Sequence, residues 1–183
     1  NACLRGEQSR TLTLCREYLE GVDDVEEVNL AELKLEPYYG PSAAYRAQLE
    51  KDGQFDDPMF DLGRQFAEAD EIVIGAPYWD LSFPAALKIY IEHAAVMGMT
   101  FHYTEEGRCE GLCRAKHLTY ITTGGGNVAA ANFGYEYLRG IAGMFGIPET
   151  RFAAAENLDV VGADIKGNLD AARARLAELK ATR

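Results

Sequence analysis

The sequence of 183 residues has few basic residues, few cysteines and no long uninterrupted apolar run. Its 18 Lys and Arg stand against 29 Asp and Glu, a net charge of −11 without a basic cluster, which disfavours binding to nucleic acids or anionic membranes. The longest apolar stretch, 85–99, contains Lys88, Glu92 and His93 and falls short of the roughly 20 residues of a membrane span. The four cysteines include no CxxC pair, which favours a reduced, cytoplasmic protein.

Several motifs are also missing. Neither GxxxxGK[ST] nor GxGxxG occurs near the N-terminus, which disfavours a nucleoside triphosphatase and a dinucleotide-binding Rossmann domain. The three histidines are scattered, so we expect no metal centre. There is no initiator Met, and the residues from Asn1 to Leu4 look like the end of a strand that enters a loop. We therefore expect that a first strand of about five or six residues is missing from the sequence.

The residues that are present indicate one globular domain, 1–183, large enough to bury a core. Short β-branched runs alternate with amphipathic segments, which predicts a three-layer α/β sandwich around a parallel sheet. In the helix near 132–145 we expect Phe133, Tyr137, Ile141 and Met144 to point inward. The predicted strands are 25–30 at an edge, 72–76, 118–122 and 151–155; the predicted helices are 9–21, 42–51, 57–70, 82–95, 132–145 and 165–179.

Three segments follow predicted strands and should meet at the carboxyl edge of the sheet, where open parallel sheets bind ligands. The first loop, 1–9, leads into a helix start, and free N–H groups there favour a phosphate; an ordinary capped helix with solvated arginines explains it equally well. The second loop, 77–83, carries three aromatic residues and forms an apolar shelf suited to a planar ring. The third loop, 123–127, has three consecutive glycines, which allow close backbone approach to a ligand.

An ordered series of motifs gives these loops a more specific meaning. The series consists of APYWDLSFP at 76–84, LK at 87–88, GMTFHYT at 98–104 and GL at 111–112. In this series the chain resembles the flavodoxin-like NAD(P)H:quinone oxidoreductases and FMN-dependent NADH-azoreductases over most of its length. The resemblance implies a flavodoxin-like fold with strand order 2-1-3-4-5, FMN as cofactor, NADH or NADPH as co-substrate and a homodimer in which each subunit completes the other's site.

The resemblance also implies roles for particular residues. Gly125 and Gly126 would stabilise the reduced ring through their N–H groups, with no catalytic side chain beyond the flavin. Tyr103 and Met144 would contact the substrate. The residues implied to bind FMN lie in the three loops and at the start of the first helix: Arg5, Gln8, Ser9, Arg10, Thr11, Pro77, Tyr78, Trp79, Asp80, Leu81, Thr123, Gly124, Gly125 and Gly126.

The expected reaction is ping-pong hydride transfer from the nicotinamide to a small-molecule acceptor such as a quinone or an azo compound, because the cofactor carries the chemistry. A flat apolar pocket discriminates weakly among such acceptors. Two other functions stay open at this point. A flavodoxin-like electron carrier would need a protein docking face, and a flavin-free interaction module with the same fold would bind no FMN.

Overall fold

The computed structural model describes residues 1–183. Four helices precede the first strand of the main sheet, helices and strands alternate after it, and a separate hairpin is inserted between the first two strands of that sheet. Short 3-10 turns at Gly6–Gln8 and Pro58–Phe60 precede two of the helices. In chain order the elements are α1 (Arg10–Leu19), α2 (Leu30–Leu33), α3 (Pro41–Asp52), α4 (Asp61–Glu68), β1 (Ile72–Gly75), α5 (Ala85–Ala94), β2 (Phe101–Tyr103), β3 (Cys109–Gly111), β4 (His117–Thr123), α6 (Phe133–Met144), β5 (Glu149–Ala155) and α7 (Ile165–Ala181).

The main sheet is parallel, with β4 between β1 and β5. The N-terminal residues continue it beyond β1: the Ala2 N–H donates to the Gly75 carbonyl at 2.8 Å, and the Leu30 N–H donates to the Asn1 carbonyl at 3.0 Å. Across the sheet, segment 28–30 therefore lies next to 1–2, and 1–2 lies next to β1, which is followed by β4 and β5. The three-stranded parallel main sheet confirms the predicted flavodoxin-like α/β fold, and the complete five-strand order 2-1-3-4-5 stays a prediction.

The predicted edge strand at 25–30 is wrong, because residues 25–29 form neither a strand nor a helix and Leu30 begins α2. The Asn29 side chain accepts a hydrogen bond from the Ala31 N–H, which turns the chain into a helix at the point where the strand should end. A cleft of about 970 Å³ lies between 21–28 and the outer edge of β1.

Two apolar layers enclose the sheet and complete the three-layer sandwich. Leu118 and Tyr120 of β4 face the cluster that contains α5 and α6, whereas Ile121 faces the cluster that contains α1 and α7. This alternation along β4 follows from the period of two residues in a strand. No helix combines the length and hydropathy that crossing a membrane requires.

Helix α6 packs differently from the prediction. Phe133 does not point inward, since 61% of it is exposed, and Tyr137, Ile141 and Met144 are only half-buried at the margin of the core. The buried residues of α6 are instead Gly134, Leu138 and Ala142. A Cβ atom on Gly134 would lie 3.0 Å from the Phe83 ring, so small residues let α6 lie close against the second loop.

Strands β2 and β3 form an antiparallel hairpin outside the main sheet. The Phe101 ring of β2 stacks on the Phe145 ring, with centroids 6.2 Å apart. Gly111 of β3 lies directly on the backbone of Phe145 and Gly146, because a Cβ atom at 111 would come within 1.9 Å of the Gly146 nitrogen. The hairpin is thus fixed to the end of α6 by a contact between two glycines.

Candidate functional site

The three loops meet at the carboxyl end of the sheet, as expected, and Thr123 connects them. The Thr123 carbonyl accepts a hydrogen bond from the Tyr78 N–H of the second loop at 3.0 Å. Its side-chain Oγ1 lies 2.7 Å from Oγ1 of Thr11, in the first turn of α1. One residue at the end of β4 therefore holds the second loop and the start of α1 in fixed positions.

The start of α1 offers unpaired N–H groups. Ser9 is the N-cap, and its hydroxyl accepts a hydrogen bond from the Leu12 N–H. The N–H groups of Arg10 and Thr11 have no acceptor within the protein. Free N–H groups at a helix start, together with the helix dipole, form a site for an anion such as phosphate.

The side chains of the first loop divide into two groups. Arg5 and Gln8 are exposed, and their side chains make no hydrogen bond within the protein. Cys3 is buried, and its thiol lies 3.5 Å from the Gly75 carbonyl. Burial raises the pKa of the Cys3 thiol, so this side chain stays uncharged and adds no negative charge beside the anion site.

The second loop contains a tight two-residue turn. Trp79 and Ser82 exchange N–H···O=C hydrogen bonds of 3.1 and 2.8 Å, and Asp80 and Leu81 between them have φ of +49° and +66°. Positive φ at both central residues defines a type I′ turn, which glycine and asparagine favour and leucine does not. Leu81 is nonetheless half-exposed, and the N–H groups of Asp80 and Leu81 have no acceptor in the protein.

Leu81→Gly should raise the free energy of unfolding by roughly 0.5–1 kcal/mol, because relief of left-handed strain exceeds the added entropy of the unfolded chain. The same variant should bind a planar ligand more weakly, since it loses apolar contact surface. Urea denaturation and ligand titration measure the two effects. Leu81→Ala is the matched control, because it removes the side chain and keeps the strain. Equal stabilities of the two variants would contradict the strained-turn interpretation.

The third loop presents N–H groups in one direction. The carbonyls of Gly124, Gly125 and Gly126 accept hydrogen bonds of 3.0 to 3.1 Å from the N–H groups of residues 157–159, which follow β5. All peptide bonds are trans, so each N–H points away from the carbonyl of the preceding residue. The Gly125 and Gly126 N–H groups therefore point away from 157–159, and they have no acceptor in the protein.

Residues 156–159 were not predicted to belong to the site. Besides their bonds to the third loop, the Leu158 carbonyl and the Asp159 carboxylate accept hydrogen bonds from Arg10 at 3.3 and 3.2 Å. The Glu156 carboxylate accepts a hydrogen bond from the Val128 N–H at 2.9 Å. The place of this segment in the sequence could have identified it, because it follows a parallel strand and must lie at the same edge of the sheet as the other loops.

Phe133 and Ala131 were also missed. The Phe133 N–H donates to the Leu81 carbonyl at 3.0 Å, and the Tyr78 hydroxyl donates to the Ala131 carbonyl at 2.7 Å. The exposed Phe133 ring therefore extends the apolar shelf of the second loop.

The two predicted substrate residues lie elsewhere in the chain. Met144 ends the helix that Phe133 begins, about 16 Å along its axis at 1.5 Å per residue. Tyr103 is exposed on β2, opposite Cys109 of β3, whose thiol lies 3.9 Å from the Met144 carbonyl. Tyr103 and Met144 are thus close to the same hairpin and far from the N-terminus of α6.

Known proteins share this fold. A family model described as having a flavodoxin-like fold matches residues 1–179. The chain belongs to this flavodoxin-like family. An azoreductase structure from Bacillus anthracis str. Sterne superposes on it with a TM-score of 0.79 and 25% identity, over 97% of this chain and 93% of that one. The FMN complex of an FMN-dependent NADH-azoreductase from Bacillus anthracis str. Ames Ancestor shares the fold, with a TM-score of 0.78 and 20% identity over 95% of this chain and 91% of that one.

Curated relatives of this flavodoxin-like protein are more similar in sequence. FMN-dependent NADH:quinone oxidoreductase 2 of Clostridium acetobutylicum is 45% identical over 132 residues, or 69% of this chain and 66% of that protein. The FMN-dependent NADH:quinone oxidoreductase of Clostridium beijerinckii is 43% identical over 117 residues, or 63% of this chain and 59% of that protein. The matched segments thus span less than two thirds of these relatives.

Proposed function

We propose that this flavodoxin-like protein is an FMN-dependent NADH oxidoreductase that reduces quinones, azo compounds or similar flat acceptors by ping-pong hydride transfer. The observation that carries the proposal is the set of unpaired N–H groups on both sides of an exposed apolar shelf: Arg10 and Thr11 on one side, Gly125 and Gly126 on the other. The activities named for the relatives from Clostridium support it.

The residues fit the two ends of FMN. A phosphate would accept hydrogen bonds from the Arg10 and Thr11 N–H groups at the start of α1, next to the Arg10 guanidinium. Trp79, Leu81 and Phe133, which are 41% to 61% exposed, would supply apolar surface for the isoalloxazine ring. The free N–H groups of Gly125 and Gly126 suit the polar pyrimidine edge of that ring.

When bound, FMN supplies hydride acceptance from NADH and delivery of reducing equivalents to the acceptor. The chain then has to orient the partners and stabilise negative charge at the edge of the ring. The Gly125 and Gly126 N–H groups would perform the second task without reorganisation, because the third loop is already held by hydrogen bonds from 157–159. Burial raises the pKa of Tyr120, in β4, to about 12, so its hydroxyl stays protonated at neutral pH.

The proposed assembly is a cytoplasmic homodimer. Tyr103 is 56% exposed on a hairpin held far from its own second loop, and Tyr39 and Phe133 are exposed as well. Exposed aromatic surface of this kind is typical of subunit contacts. In such a dimer Tyr103 and Met144 of one subunit would contact the acceptor at the other subunit's site. We also propose NADH as the co-substrate in preference to NADPH, because the names of the relatives specify NADH.

The decisive test is anaerobic reduction of the FMN-loaded protein. NADH should bleach the flavin absorbance, and menadione or an azo dye added afterwards should restore it, because nicotinamide and acceptor use one site in turn. Steady-state rates with both substrates varied should give parallel double-reciprocal lines. NADPH in place of NADH measures the nicotinamide preference.

Two outcomes would overturn the proposal. If NADH leaves the flavin spectrum unchanged while a reduced redox protein bleaches it, the chain is an electron carrier. If the purified protein is colourless and takes up no added FMN, it is an interaction module with a flavodoxin-like fold.

A further inference from the structure

The Arg10 guanidinium is anchored at one corner only. Its NH1 donates to the Leu158 carbonyl at 3.3 Å and to an Asp159 carboxylate oxygen at 3.2 Å. Its Nε and NH2 groups donate to no atom of the protein. The edge formed by Nε and NH2 is the fork that binds an oxyanion with two parallel hydrogen bonds. Arg10 is therefore fixed at one corner and open along its anion-binding edge.

Asp159 is itself held in place by the third loop. Its N–H donates to the Gly125 carbonyl at 3.0 Å. Its side chain also fills the space beside Gly125, where a Cβ atom would come within 2.5 Å of a carboxylate oxygen. Asp159 thus links two parts of the site. Its backbone is bonded to the third loop, which presents the Gly125 and Gly126 N–H groups, and its carboxylate is bonded to the Arg10 guanidinium.

We propose that Asp159 is a positioning residue: it holds Arg10 so that the free edge of the guanidinium is presented to the phosphate of the bound flavin. This inference rests on the proposed function, because the phosphate belongs to FMN. Arg10 is the residue that touches the ligand, and Asp159 acts through it. An unanchored arginine would lose more side-chain freedom on binding phosphate.

The negative charge of Asp159 has the opposite effect, because a carboxylate near a phosphate repels it. Substitutions separate the two effects. Asp159→Ala removes both the hydrogen-bond acceptor and the charge, whereas Asp159→Asn keeps an oxygen that can accept from Arg10 and removes the charge only. If positioning dominates, the two variants behave differently toward FMN.

The experiment measures equilibrium binding of FMN and of riboflavin by flavin fluorescence, with full-length protein. Arg10→Ala should weaken FMN binding about tenfold or more, as expected for a charge-assisted bond to phosphate. Asp159→Ala should weaken it about twofold to fivefold, since the ion pair is largely exposed. Asp159→Asn should bind FMN at least as tightly as the wild type. Riboflavin, which lacks the phosphate, should bind all of these variants equally.

Two further variants complete the design. In an Arg10→Ala background, Asp159→Ala should no longer weaken FMN binding, because the positioning effect passes through Arg10 and only the repulsion between the carboxylate and the phosphate is left to remove. Asp56→Ala is the matched control, since Asp56 is an exposed carboxylate without a hydrogen bond or ion pair, and it should leave both affinities unchanged.

Several results would overturn the inference. FMN binding to Asp159→Ala that equals or exceeds wild-type binding would mean that the carboxylate only repels phosphate. Equal losses for FMN and riboflavin would mean that Asp159 only supports the third loop. Failure of the wild type to bind either flavin would instead contradict the proposed function, so the two failures are distinguishable.

Discussion

Gly111→Ala should lower the free energy of unfolding by about 3 kcal/mol, the upper end of the usual cost of overpacking. The added Cβ atom would lie 1.9 Å from the Gly146 nitrogen and 2.0 Å from the Phe145 carbonyl carbon. Backbone atoms cannot rotate away as a side chain does, so the hairpin must leave the end of α6 and take Tyr103 with it. Urea denaturation measures the loss of stability. Light scattering should also report a lower mass if Tyr103 contributes to a dimer.

Gly140→Ala is the matched control. Gly140 lies on α6, the helix whose end contacts Gly111. A Cβ atom at this position meets no atom within 4 Å, and alanine favours the helix more than glycine does. The variant should therefore gain about 0.5–1 kcal/mol. A Gly111→Ala protein within 1 kcal/mol of the wild type would show that the contact between the two glycines does not fix the hairpin.

Thr123→Val should cost about 1–3 kcal/mol of stability, because it leaves the fully buried Thr11 hydroxyl without its partner at 2.7 Å. The double variant Thr11→Val/Thr123→Val should regain most of this loss, since two apolar side chains of the same shape replace the pair. Urea denaturation of the two single variants and the double variant measures the coupling between these positions.

Thr119→Val is the control within the same strand. Thr119 is buried, but its hydroxyl has no hydrogen-bond partner in the protein, so replacement by valine should be neutral or stabilising. Additive losses at positions 11 and 123 would mean that the two hydroxyls do not act together, and Thr123 would not be the connection between the loops.

The sequence predicts those parts of the fold that depend on apolar pattern. The run of Ile72 to Gly75 and the segment of Leu118 to Thr123 are strands because β-branched and apolar residues occupy both faces. The prediction fails at 25–29 and at Phe133, where contacts with neighbouring residues determine the local structure. Asn29 caps a helix, and the small residues of α6 allow that helix to pack through Gly134.

The candidate site also has one part that the sequence predicts and one part that it does not. Glycines at 124–126 and a helix start at Ser9 are visible in the sequence, so the first and third loops could be predicted as binding loops. The role of 157–159 could not, because it depends on backbone hydrogen bonds that involve no distinctive side chain. Leu81 gives no signal for a turn either, since leucine is rare at positive φ.

The links between the loops also determine when the site forms during synthesis. Thr11 and Thr123 are 112 residues apart in the chain, and Arg10 and Asp159 are 149 apart. A growing chain that has not yet extended past residue 159 cannot close the second link, even after α1 and the first loop have left the ribosome. The edge that we propose to bind FMN is then one of the last parts of the domain to be completed. A ligand there stabilises the finished domain and cannot guide its earlier folding steps.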